Sequence, residues 1–258
     1  MLRVGLLHRD SHLASLLGQT FRMGYNVVGF FDQTGNPVSH GQWLGIYGPS
    51  YFLGVPPLGR KINRRNQSSH WIEKRIDGLL AQATPLSQAD LTLALAWKIG
   101  AVNHPRSPSS VRFKPTNFST TLIPQRYRQR RWNFSQSIPY LAANMAAIQQ
   151  QLATNPAYLQ NLKLPGTGFG PTNKLAIQFF ITHGSEPIYD QYAHKAALAI
   201  HQNLPPGSAV AGYTQVQTWS DYQNFKSLLK TIGLQAHGSM FISRDDDRAL
   251  WVYGHLFK

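Results

Sequence analysis

The chain has 258 residues, of which 42% are hydrophobic and 12% aromatic, enough to form a folded core and to exclude global disorder. It has no cysteine, which excludes disulfides, zinc–thiolate sites, iron–sulfur clusters and thiol nucleophiles. The formal net charge is +14, and residues 91–185 contain ten Lys or Arg but no Asp or Glu. This shortage of acids predicts a polyanionic partner, with nucleic acid the first choice.

Apolar stretches in the chain are short. The N-terminus lacks the apolar length of a signal peptide, and the run Leu91–Trp97 is far too short to span a bilayer. We therefore expect a cytoplasmic monomer without a membrane partner, associated with the nucleoid if the source is bacterial.

Residues 1–80 form an N-terminal region of uncertain structure. An apolar run at 27–31 followed by the turn residues 32–37 predicts short strands or irregular structure. The basic segment 60–65 is either a solvated surface or a phosphate contact.

From about residue 70 the pattern becomes helical, and the first helix is predicted over 70–82. Ser87 and Asp90 form a capping box before the helix 91–99, with Asp90 in place of the usual Glu. Further helices are predicted at 137–153, 156–163, 171–183, 191–203 and 219–232. The fold class is mainly α, with a helical domain over 81–258 after a more irregular or β-containing N-terminal region.

A compact cationic patch precedes the helix at 137. Four arginines alternate with aromatic and polar residues: Arg126, Arg128, Arg130 and Arg131, with Tyr127 and Trp132 between and after them. Arginine side chains can bind phosphates, and the aromatic side chains between them can stack on nucleic-acid bases. A surface loop with buried aromatic residues is the equally weighted alternative.

The most informative stretch joins two predicted helices through a glycine-rich hairpin. Its residues are Leu164, Pro165, Gly166, Thr167 and Gly168, followed by Gly170 and the helix-starting Pro171. The hairpin N–H groups and the N-terminus of the second helix can bind a phosphate without reading sequence. The alternative is an ordinary αα-hairpin.

Two residues that follow the hairpin favour a catalytic function over simple DNA binding. Lys174 lies near the start of the second helix, and Asp190 follows sixteen residues later, before the run 191–202. A neutral lysine can attack C1′ of a deoxyribose, and a carboxylate can stabilise the charge that develops as the base leaves. The structural alternative makes Asp190 an ordinary helix N-cap.

With these residues the chain resembles the helix-hairpin-helix DNA glycosylases, in particular the 8-oxoguanine DNA glycosylases. Their signature is a Leu-Pro-Gly-x-Gly hairpin, a lysine soon after it and an aspartate before a later helix, here Leu164–Gly168, Lys174 and Asp190. The stretches 96–100 and 247–254 are similar to a divergent bacterial group of this kind. The spacer before Lys174 is longer than in the family, so Lys163 is the alternative nucleophile.

The resemblance implies the helix-hairpin-helix glycosylase fold, duplex DNA with a damaged base as partner, base flipping, and lyase activity through Lys174 with Asp190 in support. It implies no cofactor, although the hairpin backbone at 162–168 can hold a monovalent cation. The pocket for the flipped base should contain stacking aromatics, and the candidates are Trp97, Phe118, Trp219, Phe241 and Trp251.

No divalent metal site is expected from the sequence. His8, His40, His183 and His237 lack metal-ligand spacing, and Asp245–Asp247 has no second carboxylate cluster, so this run predicts a helix start. Two alternatives to the glycosylase stay open: a non-catalytic DNA-binding protein that uses the hairpin as a phosphate clamp, and an RNA-binding protein that uses the arginine patch.

Overall fold

The computed structural model describes residues 29–53, 70–82, 84–98, 134, 136–166, 170–239 and 243–258. The described chain is mainly helical, as expected, with one two-stranded sheet. None of its helices in these ranges combines the length and apolar character that a membrane span requires.

The elements follow one another as a short hairpin and ten helices in the described part of the chain. They are β1 Phe30–Phe31, β2 Pro37–Val38, α1 His40–Leu53, α2 His70–Ala81, α3 Gln88–Lys98, α4 Ser137–Ala143, α5 Met145–Thr154, α6 Tyr158–Asn161, α7 Pro171–Ile181, α8 Gln191–His201, α9 Trp219–His237 and α10 Arg244–Gly254.

The predicted turn after the first apolar run joins β1 and β2. Asp32 Oδ1 accepts hydrogen bonds from the backbone N–H groups of Thr34 at 2.8 Å and Asn36 at 2.9 Å. Gly35 has φ 90°, a left-handed conformation that glycine adopts without strain. Phe30 pairs with Val38 in antiparallel register, so the predicted short strands are confirmed here.

Helix starts follow the predicted capping residues. Ser87 Oγ accepts from Asp90 N at 3.2 Å, and Asp90 Oδ2 accepts from Ser87 N at 3.0 Å, which confirms the capping box. Asp190 caps α8 by accepting from Tyr192 N at 2.8 Å. The acidic run after Ser243 begins α10, as its charge predicted.

Several predicted helices have other bounds: those expected over 156–163, 171–183 and 191–203 occupy Tyr158–Asn161, Pro171–Ile181 and Gln191–His201. The helix expected over 137–153 is interrupted at Asn144, where the backbone leaves helical angles (φ −109°, ψ 12°) and the side-chain amide shares the Tyr140 carbonyl with the Asn144 backbone N–H. The helix predicted to end at 232 continues to His237, where Gly238 forms a left-handed C-cap with φ 68°.

Buried apolar residues form two cores. The first joins β1, α1, α8, α9 and α10 and includes Trp43, Tyr47 and Tyr253. The second joins α2 to α7 and includes Leu91 and Phe180. Because α1 packs with the C-terminal helices and α2 with the middle ones, residues on both sides of the predicted boundary at 80 share these cores.

Helices α8 and α10 approach each other closely within the first core. A Cβ atom on Gly254 of α10 would lie 1.9 Å from the carbonyl oxygen of Tyr192 in α8. Only a residue without a side chain lets these backbones meet, so the C-terminal end of α10 is fixed against the start of α8.

Candidate functional site

A network of charged side chains lies between the two cores, and Glu73 is its most buried member, with 2% of its side chain exposed. Glu73 Oε1 accepts from Tyr51 Oη at 2.8 Å and from Trp97 Nε1 at 2.6 Å. Its second oxygen accepts from Arg244 Nη2 at 3.0 Å. This carboxylate therefore links α1, α2, α3 and α10 at one point.

Arg244 and Asp247 extend the network along the first turn of α10. The guanidinium of Arg244 also pairs with Asp247 and lies 5.3 Å from the Trp97 ring centroid. Burial by itself would lower the pKa of Arg244, but the carboxylates of Asp247 and Glu73 raise it. Arg244 is therefore a fixed cation. Burial raises the pKa of the Asp247 carboxyl.

Lys98 and Asp190 form the other end of the network. Lys98 is the last residue of α3, and Asp190 is the N-cap of α8. Lys98 Nζ lies 3.3 Å from Asp190 Oδ2 and donates to the Tyr189 carbonyl at 2.6 Å. Only 10% of the Lys98 side chain is exposed, and both charges act on Asp247. A lysine and a carboxylate thus meet across the two cores.

A cavity of about 200 Å³ opens beside these charges. Arg244 and Asp247 contribute its polar wall, and Phe179 and Phe225 contribute aromatic faces. Pro187 and Ile188, which lead directly to Asp190, line it too. A planar group with carbonyl and N–H edges could stack on the rings and hydrogen-bond to the guanidinium and the carboxylate.

Comparison with protein-family models, curated proteins and solved structures finds no match to this chain.

The hairpin is described up to Gly166 and again from Gly170. Gly166 has φ 90°, as a tight reversal requires, and Ser137 Oγ donates to the Pro165 carbonyl at 2.5 Å, which fastens the hairpin to α4. Gly170 is the N-cap of α7, and Pro171 begins that helix, as predicted. Leu164 is half-buried against the second core. Thr167 and Gly168 lie outside the described residues.

Lys174 binds backbone carbonyls just before the hairpin rather than a carboxylate. Its Nζ donates to the carbonyl oxygens of Gln160 at 2.7 Å and Leu162 at 2.9 Å, at the end of α6. Burial lowers the pKa of Lys174 below its ordinary value. The contacts of Lys174 and Asp190 therefore do not bring these two predicted residues together, because Asp190 pairs with Lys98. The fallback residue, Lys163, is exposed.

Within the predicted cation site at 162–168, the Leu162 carbonyl is bound by the lysine of this chain. An ammonium group carries the same single charge as a monovalent cation and can donate to several carbonyls at once. Lys174 thus satisfies carbonyls at the end of α6 that have no partner within that helix.

The predicted base-pocket aromatics do not line the cavity where they are described. Trp97 is next to the cavity through Arg244, Trp219 packs on Tyr222, and Trp251 packs on Tyr51 and His255. Phe118 and Phe241 lie outside the described residues. The same holds for Arg126, Arg128, Arg130 and Arg131.

Sequence reasoning missed Lys98, Glu73, Arg244 and the two phenylalanines of the cavity. Lys98 and Asp247 do fall in the stretches 96–100 and 247–254, which carried the looser family likeness. The likeness of both stretches to one protein family was the available signal. Neither stretch alone indicates that its residues lie near those of the other.

Proposed function

We propose that this chain is a DNA glycosylase with lyase activity that removes an oxidised purine, and that Lys98 supplies its amine. The observation that carries the proposal is the contact between Lys98 and Asp190, whose charges act on Asp247 in the wall of a cavity with aromatic and hydrogen-bonding groups. Asp190 is the carboxylate that the family likeness selects. The hairpin and the net charge of +14 favour a DNA backbone as the ligand of the surrounding surface.

The chemistry needs an amine next to a carboxylate. Asp190 accepts a proton from the Lys98 ammonium, and the free amine attacks C1′ of the deoxyribose. The new C1′–N bond forms as the bond from C1′ to the base breaks, and the electrons of that bond leave with the base, which takes up the proton that Asp190 holds. The Asp190 carboxylate regained in this way stabilises the positive charge left on the adduct of sugar and lysine.

Strand cleavage follows from the same intermediate. Opening of the sugar ring gives an imine between Lys98 and C1′. Loss of a proton from C2′ then expels the 3′ phosphate, and water later releases the lysine. No oxidant, reductant or metal is needed for these steps.

The cavity supports a flipped base as the bound group. Its volume of about 200 Å³ is below the range of typical drug-sized sites, roughly 300–1,000 Å³, and suits one small planar ring system. Phe179 offers a stacking face, and Arg244 and Asp247 offer a donor and an acceptor for the edge of an oxidised purine. Lys174 supports the reaction indirectly, because it binds the backbone of the segment that leads into the hairpin.

Borohydride trapping tests the assignment. Wild-type protein is incubated with a duplex that contains 8-oxoguanine, and the covalent adduct is resolved by mass. We expect an adduct with the wild type, none with Lys98→Gln, and a retained adduct with Lys174→Gln, the matched control. We expect Asp190→Asn to slow base release at unchanged duplex binding, because its amide still caps α8.

Other outcomes overturn parts of the proposal. An adduct that persists in Lys98→Gln but is lost in Lys174→Gln would move the nucleophile to the hairpin lysine. Wild-type protein that binds duplex DNA with a steep salt dependence but releases no base would instead favour the non-catalytic clamp. Tighter binding of single-stranded RNA than of duplex DNA would favour the RNA-binding alternative.

A further inference from the structure

Three side chains far apart in the sequence meet at the first turn of α10. His40 begins α1, His237 ends α9, and Asp246 lies in the first turn of α10. One ligand atom from each lies within 4.8 Å of the other two. His40 Nε2 is 2.6 Å from Asp246 Oδ1, and His237 Nε2 is 3.6 Å from Asp246 Oδ2.

Two imidazoles and one carboxylate are a ligand set for a transition metal. Zinc binds histidine nitrogen and carboxylate oxygen at about 2.0–2.2 Å, which places two ligands of a tetrahedral ion about 3.4 Å apart. The two histidine nitrogens lie 2.6 and 3.6 Å from different oxygens of the Asp246 carboxylate, on either side of that value. One ligand atom from each residue lies within 4.8 Å of the other two, so side-chain rotations can bring all three to one ion. Two histidines and a carboxylate favour zinc, iron or cobalt over magnesium or calcium, which prefer oxygen ligands.

Space and access also fit an ion. A void of about 10 Å³, the size of one water molecule, is lined by His40, His237 and Asp246 together with apolar side chains. The exposed fraction of the side chain is 27% for His237, 16% for His40 and 5% for Asp246. An ion can therefore enter past His237 and reach a carboxylate that is almost completely buried.

The ligands are held in place by their surroundings. Ser243 donates to Asp246 Oδ2 through its backbone N–H at 2.9 Å and its hydroxyl at 2.7 Å, which fixes the carboxylate plane. The His40 ring lies between aromatic neighbours, 5.3 Å from Phe30 and 6.0 Å from Trp43 by ring centroids. Such supporting contacts orient metal ligands and strengthen binding.

We propose that His40, His237 and Asp246 form a site for a divalent transition-metal ion, with zinc as the ion tested. The ion ties the start of α1, the end of α9 and the first turn of α10 together. Because Asp246 is adjacent to Asp247, the ion also fixes the turn that carries the polar wall of the cavity. The site does not depend on the glycosylase proposal, since none of its three ligands takes part in that chemistry.

Cobalt and zinc titrations of the chelator-treated full-length protein test the site. We expect one equivalent of Co²⁺ to give a visible absorption band that Zn²⁺ displaces, and Zn²⁺ to raise the melting temperature of the wild type. His237→Ala removes the most exposed ligand, so we expect it to fold, to bind Zn²⁺ at least about tenfold more weakly and to lose the cobalt band. His201→Ala, a histidine at the end of α8, is the matched control and keeps both signals.

The competing results are distinct. Equal zinc affinity in His237→Ala and the wild type would overturn the site, as would a wild type that gives no cobalt band. If His237→Ala is destabilised without metal, His40→Gln supplies the second test, and retained one-equivalent binding in that variant also overturns the proposal.

Discussion

Two lysines of this chain lie close to functional motifs, and they differ in what holds the ammonium group. Lys98 faces the carboxylate of Asp190 between the two cores. Lys174 faces the backbone carbonyls of Gln160 and Leu162 beside the hairpin. Within the described residues, the first lysine contacts an ionisable group and the second contacts backbone dipoles.

The partners of the two ammonium groups differ in the chemistry that they allow. A carboxylate can accept a proton from its neighbour and stabilise a developing positive charge, whereas a backbone carbonyl accepts a hydrogen bond and nothing more at ordinary pH. The lysine nearest to the hairpin in sequence is therefore not the one that contacts Asp190. Four changes test how differently the two regions behave.

The largest expected effect is at the buried centre of the charge network. Glu73→Gln leaves Arg244 with one fewer carboxylate in a site where Glu73 is 2% exposed. Breaking a buried pair in this way should lower the free energy of unfolding by about 3–5 kcal/mol, as measured by urea denaturation. Asp245→Asn is the matched control, because Asp245 pairs with Arg248 while 70% exposed and should cost less than about 1 kcal/mol. Equal losses in both variants would remove the distinction between buried and surface charges.

Two glycines offer the next contrast. Gly254→Ala places a Cβ atom 1.9 Å from the Tyr192 carbonyl oxygen and must separate α8 from α10, so we expect a loss of about 1–3 kcal/mol or more. Gly170→Ala at the hairpin meets nothing within 4 Å and should cost less than about 1 kcal/mol. Thermal unfolding of both variants measures the difference. A well-tolerated Gly254→Ala would show that the two helices are not tightly packed.

At the hairpin, the effect of losing the ammonium should be smaller. Lys174→Met leaves the carbonyls of Gln160 and Leu162 without their donor, and these residues are partly solvated, so we expect a loss of about 1 kcal/mol. Lys163→Met changes an exposed lysine of the same segment and should alter the unfolding free energy by less than about 0.5 kcal/mol. Indistinguishable values would mean that the carbonyl contacts contribute nothing to stability.

The last effect is a pH dependence of stability at His194, which lies in the helix that Asp190 caps. Burial lowers the pKa of His194, with Asp221 opposing this in part, so the unfolded chain binds more protons below its pKa of about 6.5. The stability from neutral His194 is full above that pH and falls as the pH drops toward the folded pKa. His194→Gln should flatten this fall, by at most about 1.4 kcal/mol per pH unit, in urea titrations at pH 7.5, 6.5 and 5.5. An unchanged slope would assign the pH dependence to other groups.

Local structure was predictable because its causes are local. The capping box of Ser87 and Asp90, the proline start of α7 and the aspartate cap of α8 depend on side chains within three residues of the backbone groups they bind. The break at Asn144 was missed because the composition around it favours a helix, and one residue with non-helical backbone angles does not change that composition.

The candidate sites were predictable only in part. Asp190 was selected from its place after the hairpin, and its carboxylate lies 3.3 Å from the Lys98 ammonium. Lys98 was not selected, since it is 92 residues away in the chain and an apolar helix ending in lysine has an ordinary structural explanation. His40 and His237 were set aside for the same reason. Their distances along the chain from each other and from Asp246 match no known spacing of metal ligands.

The sequence by itself determined the mainly helical class, the capped helix starts, the glycine hairpin and the excess of positive charge, because each depends on neighbouring residues or on composition. The tertiary structure alone decided which lysine faces Asp190, that Lys174 binds carbonyls, and that His40, His237 and Asp246 converge. Those outcomes depend on how the two cores set the helices against one another. Such packing depends on apolar side chains that are distant in the sequence. No local sequence pattern therefore shows which residues it brings together.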